Sequence, residues 1–322
     1  MNLSKLVLAA VFAAGLLSFA SNILAAEPKK PTPAFLKAED GGIDFKLQGE
    51  YVADKLGAQV IALADGKFHV VFFPGGLPGA GWDGKTKIAA DGKLDGEKAV
   101  FAGGWPCTVD GDRLEGKNDK GEAVSLKKTV RQSPTLGAKA PAGAVVLFDG
   151  TSADGWNGGK LVEGDLLNNG ILSKKAFTDF TLHVEFRESF MPAARGQGRG
   201  NSGVYLQNRY EVQVLDSFGL KPDDNECAAI YKIAPPSVNM TLPPLSWQTY
   251  DIDFTAAMWD ADKKMANARA TVRHNGVVVI DNAEIPAPTG GGQKEAATPG
   301  PIQLQNHGNP VYFRNIWVVE KK

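Results

Sequence analysis

Cysteine is scarce in this chain of 322 residues, which contains only Cys107 and Cys227. Two cysteines exclude the disulfide scaffolds of small exported domains, because those folds depend on several bridges. A single bridge in an oxidising compartment and two separately buried thiols are the remaining alternatives. Since nothing in the sequence brings the two cysteines together, we expect two buried thiols.

Charge of one sign is also lacking, because 35 basic side chains are balanced by 36 acidic ones and the formal net charge is −1. This balance excludes the electrostatic footprint of a protein that binds nucleic acid or an anionic membrane. Beyond the N-terminus, no apolar run is long enough to cross a bilayer. We therefore expect no integral membrane segment once a signal peptide has been removed.

The N-terminus has the features of an export signal. Lys5 precedes an apolar stretch at residues 6–19, and small residues follow at 18–20 and 24–26, where cleavage could occur after Ala20 or Ala26. We predict a signal peptide over residues 1–26 and a periplasmic or extracellular location, with an uncleaved membrane anchor as the alternative.

Long helical periodicities are few, whereas 37 glycines and 19 prolines indicate many turns and short strands. Short apolar runs fill residues 45–131, with a hairpin signal at 64–66 and Asp-Gly pairs that begin at positions 83, 91, 95 and 110 and are expected to close strands. We predict a small antiparallel β domain over 45–131, preceded by a flexible leader over 27–44. Pro, Gly, Ala and Lys make 132–143 a linker by composition, and a second domain begins at 144.

Residues 201–219 carry the most informative pattern in the chain. Apolar and polar side chains alternate from Val204 to Val214 with period two, which is typical of strands with one buried face. A three-residue loop at 207–209 would pair Leu206 with Tyr210. In this register, the two side chains of each cross-strand pair point to the same face of the sheet. The apolar face should enter a core. The opposite face presents groups that suit a sugar, namely Tyr205, Glu211 and Gln213, with Asp216 just beyond.

Other segments extend this pattern. Residues 180–187 alternate, with Glu185 on the polar side, and residues 302–307 place Gln305 and His307 outward. A hairpin turn is expected at 273–277 and a mobile glycine-rich loop at 196–200. Several such strands predict an all-β fold in which two curved antiparallel sheets form a sandwich. One concave sheet could then collect Glu185, Glu211 and Gln213.

Motifs in a fixed order accompany the hairpin. In chain order they are LFDG (147–150) with DGW (154–156), FTLHVEFR (180–187), the hairpin itself, APPSV (234–238), and GPIQLQNHG (300–308) leading to FRNI (313–316). Together they resemble the 3-keto-disaccharide hydrolase domain family of the concanavalin A-like lectin and glucanase superfamily. The resemblance implies a jelly-roll sandwich over 144–322 that cleaves the glycosidic bond of 3-keto-glycosides or 3-keto-disaccharides, and it leaves the first 140 or so residues unexplained.

For cleavage of a 3-keto-glycoside, Glu185 and Glu211 are alternative general bases. His307 is the expected proton donor, because imidazole titrates near neutral pH. The expected substrate-binding residues are Asn201, Tyr205, Arg209, Gln213, Asp216, Lys232 and Gln305. Among these, Arg209 or Lys232 could stabilise an enolate oxygen. A bound divalent cation, calcium or another, held by Glu, Asp and Gln oxygens, is the alternative.

A 3-keto sugar offers a route other than direct hydrolysis. The ketone acidifies the hydrogen on C2, so a base can remove it, the glycosidic oxygen can leave from C1, and water can then add back. Glu211-x-Gln213-x-x-Asp216 also resembles the Glu-x-Asp-x-x-Glu motif of laminarinase-like glycosidases, but its middle acid is replaced by an amide. A retaining glycosidase needs two carboxyl groups about 5 to 5.5 Å apart. An ordinary glycoside hydrolase and a non-catalytic carbohydrate-binding module are therefore the alternatives.

Overall fold

The computed structural model describes residues 32–321, so the predicted signal peptide lies outside the described residues. From Phe35 onward, the described part of the predicted leader contains regular structure and packs on the rest of the chain, which the prediction of a flexible leader did not include. Phe35 and Phe190 exchange two backbone hydrogen bonds of 2.9 Å. A 3₁₀ turn at Ala38–Gly41 then leads into a short helix, α1, at Gly42–Leu47. The rings of Phe35 and Phe45 pack on Phe190, and this burial orders the segment.

Eight antiparallel strands form a closed barrel where the small β domain is predicted. Each strand pairs with the next, and the first pairs with the eighth, so the barrel has no open edge. Large apolar side chains such as Phe68, Phe72 and Phe101 fill the interior. The strands are β1 Gly49–Ala53, β2 Leu56–Ala62, β3 Lys67–Pro74, β4 Ile88–Asp95, β5 Lys98–Phe101, β6 Cys107–Asp110, β7 Arg113–Lys117 and β8 Ala123–Thr129.

One turn prediction in the barrel is wrong. Asp91 and Gly92 lie inside β4 rather than at its end. Gly92 pairs with Phe101 of β5, and a Cβ atom on this glycine would lie 2.4 Å from the Phe101 ring. The glycine therefore makes room for an aromatic ring in the barrel core, a demand that cannot be distinguished from a turn signal in the sequence.

The second half of the chain is the predicted sandwich of antiparallel sheets. Its strands are β9 Val145–Phe148, β10 Trp156–Asn157, β11 Leu161–Val162, β12 Leu166–Leu167, β13 Ile171–Phe177, β14 Phe180–Glu188, β15 Ser202–Leu206, β16 Tyr210–Val214, β17 Gln248–Thr255, β18 Met258–Asp260, β19 Lys263–Ala266, β20 Ala268–His274, β21 Val277–Ile285, β22 Gly300–Leu304 and β23 Val311–Glu320. A single 3₁₀ turn at Gly196–Gly198 precedes β15.

Two sheets of the sandwich matter for the site. The five-stranded sheet has the order β10-β13-β22-β15-β16, and the larger sheet has the order β11-β12-β23-β14-β17-β20-β21, with β9 paired to β23. β18 and β19 form a separate hairpin. The main core lies in the sandwich, and both sheets contribute side chains to it, for example Val212 from β16 and Val184 from β14.

The barrel and the sandwich also contact each other. Phe218 of the sandwich packs into a small apolar cluster on the barrel with Ile61 and Phe73. The cysteine prediction is confirmed, because Cys107 in the barrel and Cys227 in the sandwich are both free and buried. Within residues 32–321, no helix combines the length and the apolar character needed to span a membrane.

Candidate functional site

The β15–β16 hairpin has the register predicted from the sequence. Val204 pairs with Val212, Tyr205 with Glu211, and Leu206 with Tyr210. The loop residues Gln207 and Asn208 have φ values of 54° and 57°, which close the turn. The apolar side chains of the hairpin enter the core, as predicted. The opposite face is not open to solvent, however, because neighbouring loops cover it and bury Tyr205, Glu211 and Gln213.

A glycine makes room for the carboxyl group of Glu211. Gly203 pairs with Gln213, so it lies diagonally across the ladder from Glu211. A Cβ atom at position 203 would lie 2.3 Å from Glu211 Oε1. The side chain of Glu211 therefore crosses the sheet over a position that only glycine leaves free. Any larger residue at 203 would displace the carboxyl group.

A cavity of about 320 Å³ lies over this face of the hairpin. It is large enough for a small ligand such as one or two sugar rings. Its walls come from the hairpin, from the loop before β15, from the segment after β16, from the loop before β22 and from the end of β22. The lining residues are Gln197, Asn201, Glu211, Gln213, Tyr231, Gly290, Gly291, Gln305 and His307.

Glu211 is the titratable group at the base of this cavity. Its side chain is only 3% exposed, and burial raises its pKa from 4.5 to about 7. The Tyr205 hydroxyl lies 2.9 Å from Glu211 Oε2, and no described Lys, Arg or His forms an ion pair with the carboxyl group. A carboxyl group that titrates near neutral pH can act as a general base or a general acid.

Amide groups around Glu211 leave acceptor oxygens unused. Gln197 Oε1 accepts from Gln213 Nε2 at 2.9 Å and from Asn201 Nδ2 at 3.2 Å, which orients both amides. Gln213 Oε1, Asn201 Oδ1 and Gln305 Oε1 are buried but have no hydrogen-bond partner among residues 32–321. Buried polar atoms are rarely left unpaired, so these oxygens can accept hydrogen bonds from water or from a ligand in the cavity. Several hydroxyl groups on one small molecule would supply these hydrogen bonds.

The structure does not bring Glu185 to this cavity, so the expectation of a shared concave face is wrong. Glu185 lies on β14 in the larger sheet, whereas Glu211 lies on the five-stranded sheet. Arg314 Nε donates to Glu185 Oε2 at 2.7 Å, and Gly137 N and Asn315 Nδ2 donate to Oε1 at 2.5 and 2.8 Å. Burial alone would raise the pKa of Glu185, but hydrogen bonds from His183 and these groups lower it to about 2. Glu185 is therefore a buried structural anion.

The predicted linker provides the cover over Glu185. Besides the Gly137 contact, Thr135 Oγ1 donates to Asp251 Oδ2 at 2.7 Å, and Asn315 Nδ2 donates to the carbonyl oxygen of Ala138 at 3.0 Å. The polar face of β14 is thus occupied by the chain's own connecting segment. This coverage explains why an alternating strand did not present its polar side chains to a ligand.

Asp216 lies outside the Glu211 cavity. It forms a 2.6 Å ion pair with Arg199 and lines another cavity, of about 240 Å³, between the sandwich and the barrel. The departure has a local cause, because Asp216 follows the end of β16, where the ladder with β15 has ended. Asp216 is thus outside the cavity, although it was predicted to bind substrate beside Glu211 and Gln213.

The two predicted cations are also elsewhere. Arg209 donates to Gln207 Oε1 at 2.8 Å and to the carbonyl oxygen of Thr298 at 3.1 Å, so it braces the hairpin loop. Lys232 is exposed and pairs with Asp224 at 2.8 Å. Neither side chain lines the cavity, so neither is placed for the enolate role predicted for them.

Four lining residues were not predicted as site residues, namely Gln197, Tyr231, Gly290 and Gly291. Tyr231 follows a segment that adds to the edge of β16, where its backbone N–H donates to Glu211 O at 3.1 Å. Gly290 and Gly291 form a turn closed by a 3.0 Å hydrogen bond from Gly292 N to Thr289 O. Their run of three glycines was a usable signal, because backbone can approach a ligand most closely at glycine.

A metal ion has limited support from these groups. Within residues 32–321, no cluster of three or more His, Cys, Asp and Glu side chains is arranged to bind a metal. The free amide oxygens are ligands that calcium accepts, but among the described residues Glu211 is the one carboxyl group that lines the cavity. The donor set therefore fits neutral hydroxyl donors better than a doubly charged ion, and a cation stays a proposal.

Comparison with known proteins gives a family match and similar solved structures for the sandwich. Residues 143–319, more than half of the chain, match the family described as 3-keto-alpha-glucoside-1,2-lyase-like domain. A solved structure of a provisionally assigned glycosyl hydrolase from Parabacteroides distasonis ATCC 8503 is 33% identical, with a TM-score of 0.51; the match covers 56% of this chain and 85% of the other. A second such protein from the same organism is 19% identical with a TM-score of 0.41, over 56% of this chain and 94% of its own. No curated protein is similar enough to match.

The matched residues begin where the sandwich begins and include the hairpin and every residue that lines the cavity. The family predicted from the ordered motifs is therefore confirmed. The chain belongs, through its sandwich domain, to the family of 3-keto-alpha-glucoside-1,2-lyase-like domains.

Proposed function

We propose that this protein is an exported carbohydrate-active enzyme that cleaves the glycosidic bond of 3-keto-glycosides by elimination and rehydration. One observation supports this choice over ordinary glycoside hydrolysis. Glu211 is the one carboxyl group among the described residues that line the cavity. Ordinary glycosidases use two carboxyl groups on either side of the bond, whereas removal of an acidified C2 hydrogen needs a single base.

In the proposed reaction, the Glu211 carboxylate removes the proton from C2, next to the C3 ketone. The electron pair forms the enolate and then the C1–C2 double bond as the C1–O bond breaks. The leaving oxygen takes a proton and departs as an alcohol. Water then adds its hydroxyl group to C1 and a proton to C2, so the overall change is hydrolysis without any oxidant.

Other residues of the cavity have definable parts in this scheme. His307 is exposed at its mouth, where it can protonate the leaving oxygen. The backbone N–H groups of Gly290 and Gly291 have no partner among the described residues and can donate to the enolate oxygen. The free oxygens of Asn201 and Gln213 would accept from sugar hydroxyl groups.

A lectin-like binding module is the second candidate, because unpaired amide oxygens would bind sugar hydroxyl groups with or without turnover. Export is supported by the basic and apolar pattern of residues 1–26. The location can be tested by expressing the full-length chain. The expected product is a chain in the periplasm or medium that has been shortened at its N-terminus.

The proposed function is tested by offering the purified protein a 3-keto-disaccharide and its unoxidised parent. Turnover of only the keto sugar is the expected result. Glu211→Gln should abolish turnover, while Glu284→Gln, at an exposed position of the same domain, should leave it unchanged. Equal turnover of both sugars would favour an ordinary glycosidase, and binding without turnover would favour a lectin. Loss of activity on chelation, restored by calcium, would establish the cation.

A further inference from the structure

The Tyr205 hydroxyl group has one hydrogen but two neighbouring oxygens that could accept it. Its oxygen lies 2.6 Å from the carbonyl oxygen of Gly290 and 2.9 Å from Glu211 Oε2. Gln305 Nε2 lies 3.1 Å away and can only donate. A phenol carries one hydrogen, so it can donate to Gly290 or to Glu211, but not to both.

The carbonyl oxygen of Gly290 decides between these choices. It carries no hydrogen, and two oxygens 2.6 Å apart repel unless a hydrogen lies between them. The single hydrogen of Tyr205 must therefore point to Gly290. The 2.9 Å contact with Glu211 is then favourable only if the carboxyl group carries the proton and donates to the phenol oxygen.

We propose that Tyr205 is a positioning residue that couples the protonation of Glu211 to the Gly290 loop. In the seated position of the loop, the Gly290 carbonyl oxygen accepts the phenol hydrogen, and Tyr205 accepts a hydrogen bond from protonated Glu211. When a ligand moves Gly290 away from Tyr205, the phenol hydrogen turns to Glu211 and stabilises the carboxylate. This inference rests on the proposed function of Glu211, and it adds that the base is released when the site is occupied.

The surroundings of Glu211 are consistent with a proton held in this way. Among the described residues lining the cavity, the other titratable groups are Tyr231, on the segment after β16, and His307, after β22. No described lysine or arginine lines the cavity, so neither type of side chain stabilises the ionised form of Glu211 there. Burial also raises the pKa of Glu211 to about 7.

The loop is held to the hairpin on both sides of its tip, by hydrogen bonds from Thr289 N to Arg209 O at 3.0 Å and from Gln293 N to Asn208 O at 2.8 Å. Thr289 anchors it, because Glu211 N donates to Thr289 Oγ1 at 2.8 Å. Gly290 and Gly291 follow at the tip of the turn, and Gly291 has a φ of +78° that few other residues adopt. Rotation at these two glycines can separate the Gly290 carbonyl from Tyr205 while Thr289 stays in place.

Infrared titration of Glu211 in the intact, ligand-free protein tests the proposal without requiring activity. The band of the protonated carboxyl group is identified as the one that Glu211→Gln removes. We expect this band in the wild type at pH 6. Tyr205→Phe removes the acceptor of the Glu211 proton, so the titration midpoint should fall by about one pH unit, the size of one hydrogen bond. A phenol that donated to the carboxylate would instead give a rise on its removal.

Gly291→Ala supplies an independent reading if Tyr205→Phe folds poorly. The added methyl group would lie 3.0 Å from the Tyr205 hydroxyl oxygen in a strained backbone, so it disfavours the seated loop. Its midpoint should also fall, whereas Gly308→Ala, which has a similar positive φ of +83° but open space around its Cβ, should not change it. An ionised Glu211 in the wild type at pH 6, or an unchanged or raised midpoint in either variant, would overturn the proposal. If the midpoints fall but no 3-keto sugar is cleaved, the coupling stands and the proposed function fails.

Discussion

Glu211 carries a free-energy cost that its neighbours do not remove. A buried carboxyl group without a cation is more stable protonated, so its folded-state pKa rises above the unfolded value. Below the unfolded value of 4.5, the group is protonated in both states. As the pH rises through about 7, the folded state loses the stability that its bound proton supplied. Functional carboxyl groups are often buried in this way, because burial shifts their pKa.

Glu211→Gln should therefore stabilise the protein at pH 8. Glutamine cannot ionise, and its amide can donate to Tyr205 as a protonated carboxyl group would. The gain should be up to about 3 kcal/mol in the free energy of unfolding. Thermal melts at pH 8 and pH 4 measure it, because the difference should nearly vanish at pH 4. A loss of stability at pH 8 would show that Glu211 is paired after all.

Glu185→Gln should have the opposite effect. The pKa of Glu185 is lowered to about 2, so its contribution is present above pH 4.5 and is lost as the pH falls through 2. Replacement leaves Arg314 without its partner, and we expect a loss of about 2 kcal/mol or more at pH 7. Cleavage by the folded fraction should persist. Loss of cleavage in a fully folded Glu185→Gln protein would return Glu185 to the catalytic machinery.

At the scale of the element, the hairpin was predictable because its information is local. Alternation fixed the faces, and a short loop fixed the register between Leu206 and Tyr210. What covers the polar face was not predictable, since Gly290 lies about 80 residues away along the chain. The prediction that Glu185 lies near Glu211 failed for a related reason, because the assignment of strands to the two sheets is set by distant pairings such as β14 with β23.

Val212→Asp tests the face assignment of the hairpin. Val212 is fully buried in the sandwich core, so an aspartate there would be an unpaired buried charge. We expect a loss of more than about 4 kcal/mol and failure of the sandwich to fold. Val278→Asp is the matched control, because Val278 is 40% exposed and should change stability little. Comparable melting of the two variants would contradict the faces described above.

The connecting segment 132–143 gives a second test at this scale. Residues 133–138 are hydrogen-bonded to the larger sheet, whereas Lys139 is exposed. Under native conditions, we expect trypsin to cut after Lys139 and to spare Arg131, which is paired with Glu50 at 2.6 Å. Mass analysis of the fragments gives the sites. Rapid cleavage after Arg131 would show that the segment is not held.

For the whole molecule, composition and motifs predicted an all-β chain with a sandwich at 144–322, and the family match covers that part. The closed barrel went beyond the prediction of a small β domain, because closure depends on pairing of β1 with β8 across the full domain. The contact of Phe218 with the barrel could not be predicted either, since no local pattern reports an interdomain cluster.

Cleavage in deuterated water tests the central claim most directly. If Glu211 removes the C2 hydrogen, wild-type protein should release product with one deuterium at C2. Glu211→Gln should give neither cleavage nor label, and product incubated with this variant corrects for spontaneous exchange next to the ketone. Magnetic resonance or mass analysis of the released sugar locates the deuterium. Release of a 3-keto sugar that carries no deuterium at C2 would contradict the account, because direct displacement at C1 leaves the C2–H bond intact.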